Sequence, residues 1–236
     1  LYLGAREIST IVEGKKVKPA ISILLFFLVI LQFDRHPAVL WDIPIQVLIL
    51  GITITAMTWE LFRREAKPLL NITMLVFAFV WLGLMLGALS SLRNLPEIGF
   101  KITFALFLSV WICDTAAFFF GSKFGKSKIL PEVSPKKTWV GTIAGLISSL
   151  VLLTGLHHYG YFNGLIELKD AVVIALIAGG FGQLGDFAES LLKREAGLKD
   201  TSNILRGHGG ILDRFDSLSF AAPLTLLYCN YFIKVG

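Results

Sequence analysis

The chain has 236 residues, of which 55% are hydrophobic and 17% charged, and its mean hydropathy is +0.71. A soluble domain rarely reaches that balance, so the composition predicts one polytopic α-helical membrane domain over residues 1–236 and leaves no soluble domain of useful size. The net charge of +5 is then a topology signal and not a nucleic-acid footprint. Cys113 and Cys229 both fall in apolar sequence, which argues against a disulfide framework or a thiolate metal site.

The chain opens on LYLGAREIST. This reads as the tail of a helix already under way, so further membrane helices are expected before it. Seven candidate spans follow, at 19–33, 43–59, 68–89, 98–120, 138–156, 171–192 and 217–235. The first is short for a bilayer core, hence tilted or partly interfacial. Basic residues gather in alternate connections. They are Arg6, Lys15, Lys16 and Lys18 before the first span, and Arg63, Arg64 and Lys67 after the second. Lys123, Lys126, Lys128, Lys136 and Lys137 follow the fourth, and Lys193, Arg194, Lys199, Arg206 and Arg214 follow the sixth. The opposite connections hold scattered single charges. The positive-inside rule places the four basic segments in the cytoplasm.

Two aspartates lie where charge is costly. Asp114, in WICDTAAFFFG, sits seven residues before Gly121, about 10 Å from the cytoplasmic end of its span. Asp186, in GGFGQLGDFAES, sits seven residues before Lys193. Intramembrane carboxylates at one depth suggest a shared cavity, although each could instead pair with a polar neighbour and fix helix packing. Asp213 and Asp216, spaced i, i+3 before the last span, share a face if that stretch is helical; Asp213 could also serve as a helix cap. Clustered carboxylates repel unless a cation neutralises them, and oxygen ligands suit Mg²⁺ bridged to phosphates. Gly207, His208, Gly209 and Gly210 form a loop whose N–H groups can converge on an anion, beside Arg206 and Arg214. Ser134, Pro135, Lys136, Lys137 and Thr138 lead directly into the fifth span, with both lysines at headgroup level. Gly141 and Gly145, four apart, indicate close helix packing.

Ser190, Leu192, Lys193, Arg194, Lys199, Asp200, the Gly207–Gly210 run, Asp213, Arg214 and Asp216 together resemble the signature of the phosphatidate cytidylyltransferases. Two shorter blocks agree: Asp114, Ala117 and Phe118, and Ser134 to Thr138. The similarity covers roughly residues 110–219, with cytoplasmic loops 121–137 and 193–216; residues 19–120 match in membrane character only. Two positions depart from the pattern, Arg206 where a proline is usual and Val140 where an acid is usual.

The resemblance implies that CTP and phosphatidate give CDP-diacylglycerol and pyrophosphate, at the cytoplasmic side of a membrane that is bacterial rather than organellar. It implies Mg²⁺, with room for a second cation, on Asp186, Asp213 and Asp216, and Asp114 as an outer ligand or a residue that orients one. Lys193 and Arg194 join the carboxylates in catalysis. Ser134, Lys136, Lys137, Lys199, Asp200, Gly207, His208, Gly209, Gly210 and Arg214 would hold phosphates. The implied partners are CTP, phosphatidate and membrane lipid, with a homodimer left open and no nucleic acid. Two other readings stand beside this one: a CTP-dependent polyprenol or phytol kinase, and an ion-coupled transporter using Asp114 and Asp186 as a relay.

Overall fold

The computed structural model describes residues 2–13, 17–35, 43–64, 66–202 and 209–233. Among the described residues there are eight helices and no strand. They are α1 (Tyr2–Glu13), α2 (Ile21–Asp34), α3 (Ile45–Arg63), α4 (Pro68–Arg93), α5 (Gly99–Phe124), α6 (Trp139–His158), α7 (Leu168–Glu195) and α8 (Leu212–Phe232). Each of the seven segments expected from hydropathy is helical. Five of them, α3 to α7, are long and apolar enough to cross a bilayer. At 14 residues α2 is too short. Helix α8 has the length, but its first turns carry Asp213, Arg214 and Asp216 and its interior carries Pro223.

The boundaries follow local chemistry. Arg64 and Lys67 adopt left-handed backbone, φ 54° and 60°, and Pro68 starts α4 where its missing N–H costs nothing. Thr138 caps α6, its hydroxyl accepting from the Gly141 amide at 3.2 Å. The Glu167 amide donates to Asp170 Oδ2 at 2.8 Å at the start of α7, and the Tyr228 hydroxyl of α8 donates to Asp170 Oδ1 at 2.7 Å. Two helices widen into π-helical turns, α4 over Phe79–Leu86 and α7 over Ile177–Phe181. The carbonyls freed there find side-chain donors: Arg35 Nη1 reaches Gly83 O at 2.7 Å and Gln183 Nε2 reaches Gly179 O at 2.5 Å.

The chain packs as two compact units, Leu1–Gly87 with Leu192–Arg214, and Ala88–Leu191 with Phe215–Gly236. The chain passes from one to the other inside α4, α7 and α8. The core of the first unit is built on Ile8, Leu24, Leu28, Ile52, Leu75 and Phe79. A buried polar knot joins its helices: Asn71 Nδ2 donates to Glu60 Oε2 at 2.9 Å while Asn71 Oδ1 accepts from the Lys18 amide at 2.8 Å. The core of the second unit is built on Leu92, Ile98, Ile102, Leu106, Leu153 and Ile174.

In the second unit α5 and α6 meet at glycines. A methyl on Gly141 would stand 2.5 Å from the Ala117 carbonyl and 3.2 Å from Gly121 Cα. One on Gly145 would stand 2.8 Å from Cys113 Sγ. Both obstacles include backbone or a buried side chain, so the spacing expected to mark close packing does so. Gly141→Ala should therefore force the two helices apart and cost about 1–3 kcal/mol. Gly155→Ala, on the same helix with nothing within 4 Å of the added methyl, should leave stability unchanged or slightly raised. Thermal unfolding of the two variants in detergent measures the contrast.

Candidate functional site

The second unit holds a cleft of about 390 Å³ where α5, α6 and α7 face the loop between α5 and α6. Lys128, Lys136 and Lys137 line it from the loop, Asp114 from α5, and Gln183 and Asp186 from α7. The loop is shaped by a short antiparallel clasp. Lys128 bridges Thr138, the Ile129 amide donates to Lys137 O at 3.3 Å, and the Trp139 amide donates to Ser127 O at 3.2 Å. This pairing brings Lys128 alongside the Lys136–Lys137 pair, so three ammonium groups serve one cleft. Gly121 and Gly125 let the clasp sit against α5, since a side chain at either would run into the Thr138 hydroxyl. Ser134 supports the turn through its backbone, its carbonyl accepting from the Lys137 amide at 3.3 Å. It does not line the cleft.

Lys137 forms an ion pair with Asp186 Oδ2, and its Nζ lies 4.2 Å from the centroid of the Phe187 ring. The Ser190 hydroxyl donates to Asp186 Oδ1 at 3.3 Å. Asp216 belongs to the same group, interacting electrostatically with Asp186, Asp114 and Lys137. Two glycines of α7 make that approach. A methyl on Gly185 would meet Asp216 O at 2.6 Å, and one on Gly182 would touch Ser217. Asp114, Asp186 and Asp216 thus lie within electrostatic reach of one another and of Lys137, in one unit. Among the described residues, no three acidic, histidine or cysteine side chains stand close enough to make a ready metal-binding group. The oxygen donors and their excess of negative charge nonetheless fit Mg²⁺, which usually takes one or two carboxylates and completes its shell with water and phosphate.

Asp213 and Lys193 are placed in the first unit. Lys193 Nζ donates to Asp213 Oδ1 at 2.6 Å, with both side chains largely buried. Oδ2 accepts from the Thr201 amide at 2.9 Å, the Thr201 hydroxyl at 2.9 Å and the Gly210 amide at 2.7 Å. Burial pushes the Asp213 carboxyl up, but the Lys193 ammonium and the Gly210 and Thr201 N–H groups outweigh it and hold the group at about 2. Gly209 has φ +76°, and a side chain at Gly210 would collide with Thr201 and Glu7. These glycines thus allow the loop to close around Asp213. Arg194 turns back on its own segment, donating to Leu198 O at 3.0 Å. Lys199, Asp200 and Arg214 are exposed. Gly207 and His208 lie outside the described residues.

Two residues take part with little or no signal in the local sequence. Lys128 is indistinguishable from the other loop lysines until the clasp aligns it. Glu7, on α1, is 1% exposed. Its Oε1 accepts from the Ser202 hydroxyl at 2.7 Å and the Ile211 amide at 2.8 Å; its Oε2 accepts from the Thr201 hydroxyl at 3.0 Å and the Leu212 amide at 2.8 Å. The one hint was an acid flanked by Ala5 and Ile8 on the apolar face of a helix.

The chain matches the cytidylyltransferase family over residues 1–232. It is 35% identical over 215 residues to the phosphatidate cytidylyltransferase of Haemophilus influenzae, covering 85% of this chain and 71% of the relative. To that of Bacillus subtilis it is 32% identical over 235 residues, covering 94% and 83%. Against that of Staphylococcus aureus (strain COL) it reaches 48% over 118 residues, half of this chain and 45% of the relative. These matches support nucleotidyl transfer over both the kinase and the transporter reading. The chain belongs to the cytidylyltransferase family, among its phosphatidate cytidylyltransferases.

Proposed function

We propose that the cleft of the second unit is where the CTP phosphates and the phosphatidate headgroup meet and react, on the cytoplasmic side of a bacterial plasma membrane. The observation that carries this reading is the convergence of Lys128, Lys136 and Lys137 with Asp114 and Asp186 on one cleft, Lys137 already paired with Asp186. Two polyanions must approach each other for this reaction, and cations on both sides of the reacting phosphorus relieve their repulsion. The same lysines belong to a basic connection that the positive-inside rule puts in the cytoplasm, where CTP is found.

A phosphatidate oxygen attacks the α-phosphorus of CTP. A new P–O–P bond forms, the bond between the α-phosphorus and the bridging oxygen breaks, and pyrophosphate leaves with the electron pair. The attacking phosphate is ionised at neutral pH, so no strong base is required. Catalysis rests on positioning and charge neutralisation. Asp186 and Asp216 would hold Mg²⁺, with Asp114 as an outer or orienting carboxylate. The ion would supply charge neutralisation at the phosphates. Lys136 and Lys128 bind phosphate oxygens. Lys137 exchanges its partner, leaving Asp186 for the arriving phosphate and so freeing carboxylate oxygens. The family resemblance gives Asp213, kept in place by Lys193, a role in the reaction.

Purified protein given CTP, phosphatidate and Mg²⁺ should release pyrophosphate and form CDP-diacylglycerol, and removal of divalent ions with EDTA should stop it. Asp186→Asn and Asp216→Asn should each lower turnover by about 10²-fold, the usual cost of losing one preorganised charge-stabilising group. Retention of near-normal turnover by both would remove the metal assignment. Lys128→Ala should raise KM for CTP severalfold. Lys123→Ala should not, because that ammonium lies over the Phe119 and Phe124 rings, 6.0 and 5.4 Å from their centroids.

The Asp213 pair also fixes a pH response. The carboxyl lies in the first turn of α8, ahead of the apolar stretch, and is held at about 2 against the usual 3.8. A group whose folded value is depressed contributes its full stability above the unfolded value and loses it as pH falls through the folded one. The unfolding midpoint of the wild type should therefore drop more steeply than that of Asp213→Asn between pH 4 and pH 2, as followed by thermal scans in detergent.

A further inference from the structure

We infer that Glu7 is a positioning residue for cytidylyl transfer, acting on Asp213 through Thr201 and Gly210. The inference rests on the reading that Asp213 serves the reaction. A carboxylate that is 1% exposed among Ala5, Ile8 and Leu212 is expensive to bury unless every lone pair direction finds a donor. Glu7 comes close to that condition, with three donors of its own, the Ser202 hydroxyl and the Ile211 and Leu212 amides at 2.7–2.8 Å, and the Thr201 hydroxyl at 3.0 Å, which it shares with Asp213. Their placement is informative. Thr201 and Ser202 stand on one side of the loop and Ile211 and Leu212 on the other, so one carboxylate grips both ends of the segment that precedes α8. The Ile211 and Leu212 amides lie at the helix start, where N–H groups have no partner within the helix. Glu7 caps α8 from a residue 204 and 205 positions away.

Asp213 is tied to the same two points. The Thr201 hydroxyl lies 3.0 Å from Glu7 Oε2 and 2.9 Å from Asp213 Oδ2, with one proton to donate between them. Gly210 gives its amide to Asp213 Oδ2 at 2.7 Å. A methyl on Gly210 would stand 2.7 Å from the Glu7 carboxyl. Glu7 thus sets where Thr201 and Gly210 sit, and these two set how Oδ2 of Asp213 is held. Lys193 governs the other oxygen. Glutamine at position 7 would keep the shape but replace one doubly accepting oxygen with an amide donor, which faces donors that need an acceptor.

The test is a double-mutant cycle on the full chain in detergent micelles, with turnover measured from CTP and phosphatidate in Mg²⁺ and folding followed by thermal unfolding. Glu7→Gln should lower kcat by about tenfold in the wild-type background and by less than about twofold in an Asp213→Asn background, since residues coupled through shared partners are not additive. Thr201→Val, which removes the shared hydroxyl and leaves Glu7 its other donors, should lower kcat in the same direction and serves as the variant to judge by if Glu7→Gln fails to fold. Wild-type turnover in both variants, with Asp213→Asn impaired, overturns the role of Glu7 and leaves that of Asp213 standing. An equal fold loss in both backgrounds reduces Glu7 to a fold-holding residue and also overturns it. Wild-type turnover in Asp213→Asn removes the Asp213 reading first, and this inference falls with it.

Discussion

A carboxylate on an apolar helix must be answered by positive charge, and in the second unit Lys137 gives that answer to Asp186. Each side chain keeps about a quarter of its surface exposed, so the attraction is partly screened, yet the aspartate would be costly on this helix without it. Much of the local structure serves to deliver this one ammonium. The clasp between Lys128 and Thr138 fixes the loop, Thr138 caps α6, and Gly121, Gly125 and Gly141 leave room for the loop and helix to lie against α5. The Phe187 ring offers its face to the same cation.

The first unit solves a similar problem by different means. There Asp213 is surrounded by donors from a lysine, a hydroxyl and two amides. Glu7 organises the amides of the same segment without a charged partner among its four hydrogen bonds. Backbone N–H groups at a helix start carry partial positive charge, and here two of them hold the anion together with the Ser202 hydroxyl and a Thr201 hydroxyl shared with Asp213. The result is that the described residues on either side, Thr201, Ser202, Ile211 and Leu212, are held by a side chain distant in sequence.

Helices were legible because a bilayer demands about 20 apolar residues per crossing, and that demand shows in the order of residues alone. The intramembrane aspartates were legible for the converse reason: Asp114 and Asp186 violate the pattern. Glycine spacing announced the approach at Gly141 and Gly145. Glu7 stayed hidden because its partners lie about 200 residues away and nothing local shows which donors meet it. Lys128 stayed hidden because topology explains a loop lysine equally well, and only the clasp distinguishes it. The division into two packed units was also invisible, since it falls within continuous helices, where hydropathy does not change. Asp213 and Asp216 share a helix and a three-residue spacing, yet the first packs with Lys193 and Thr201 and the second with Asp186; spacing fixes a helix face but not what each side chain meets.

The wide turn of α7 at Ile177–Phe181 also determines the azimuth of residues 182–191 that follow it in the second unit. An ordinary α-helix advances about 100° per residue, so a turn holding an additional residue re-aims the following face by about that angle. Gln183, Asp186 and Ser190 all lie beyond it. Deleting a single residue within the widened turn would swing this polar row about the helix axis as one body, away from the clasp lysines, while leaving its composition intact. The cleft therefore depends on phase as much as on residue identity, and Gln183, by tethering the Gly179 carbonyl, acts as the pin that keeps that phase.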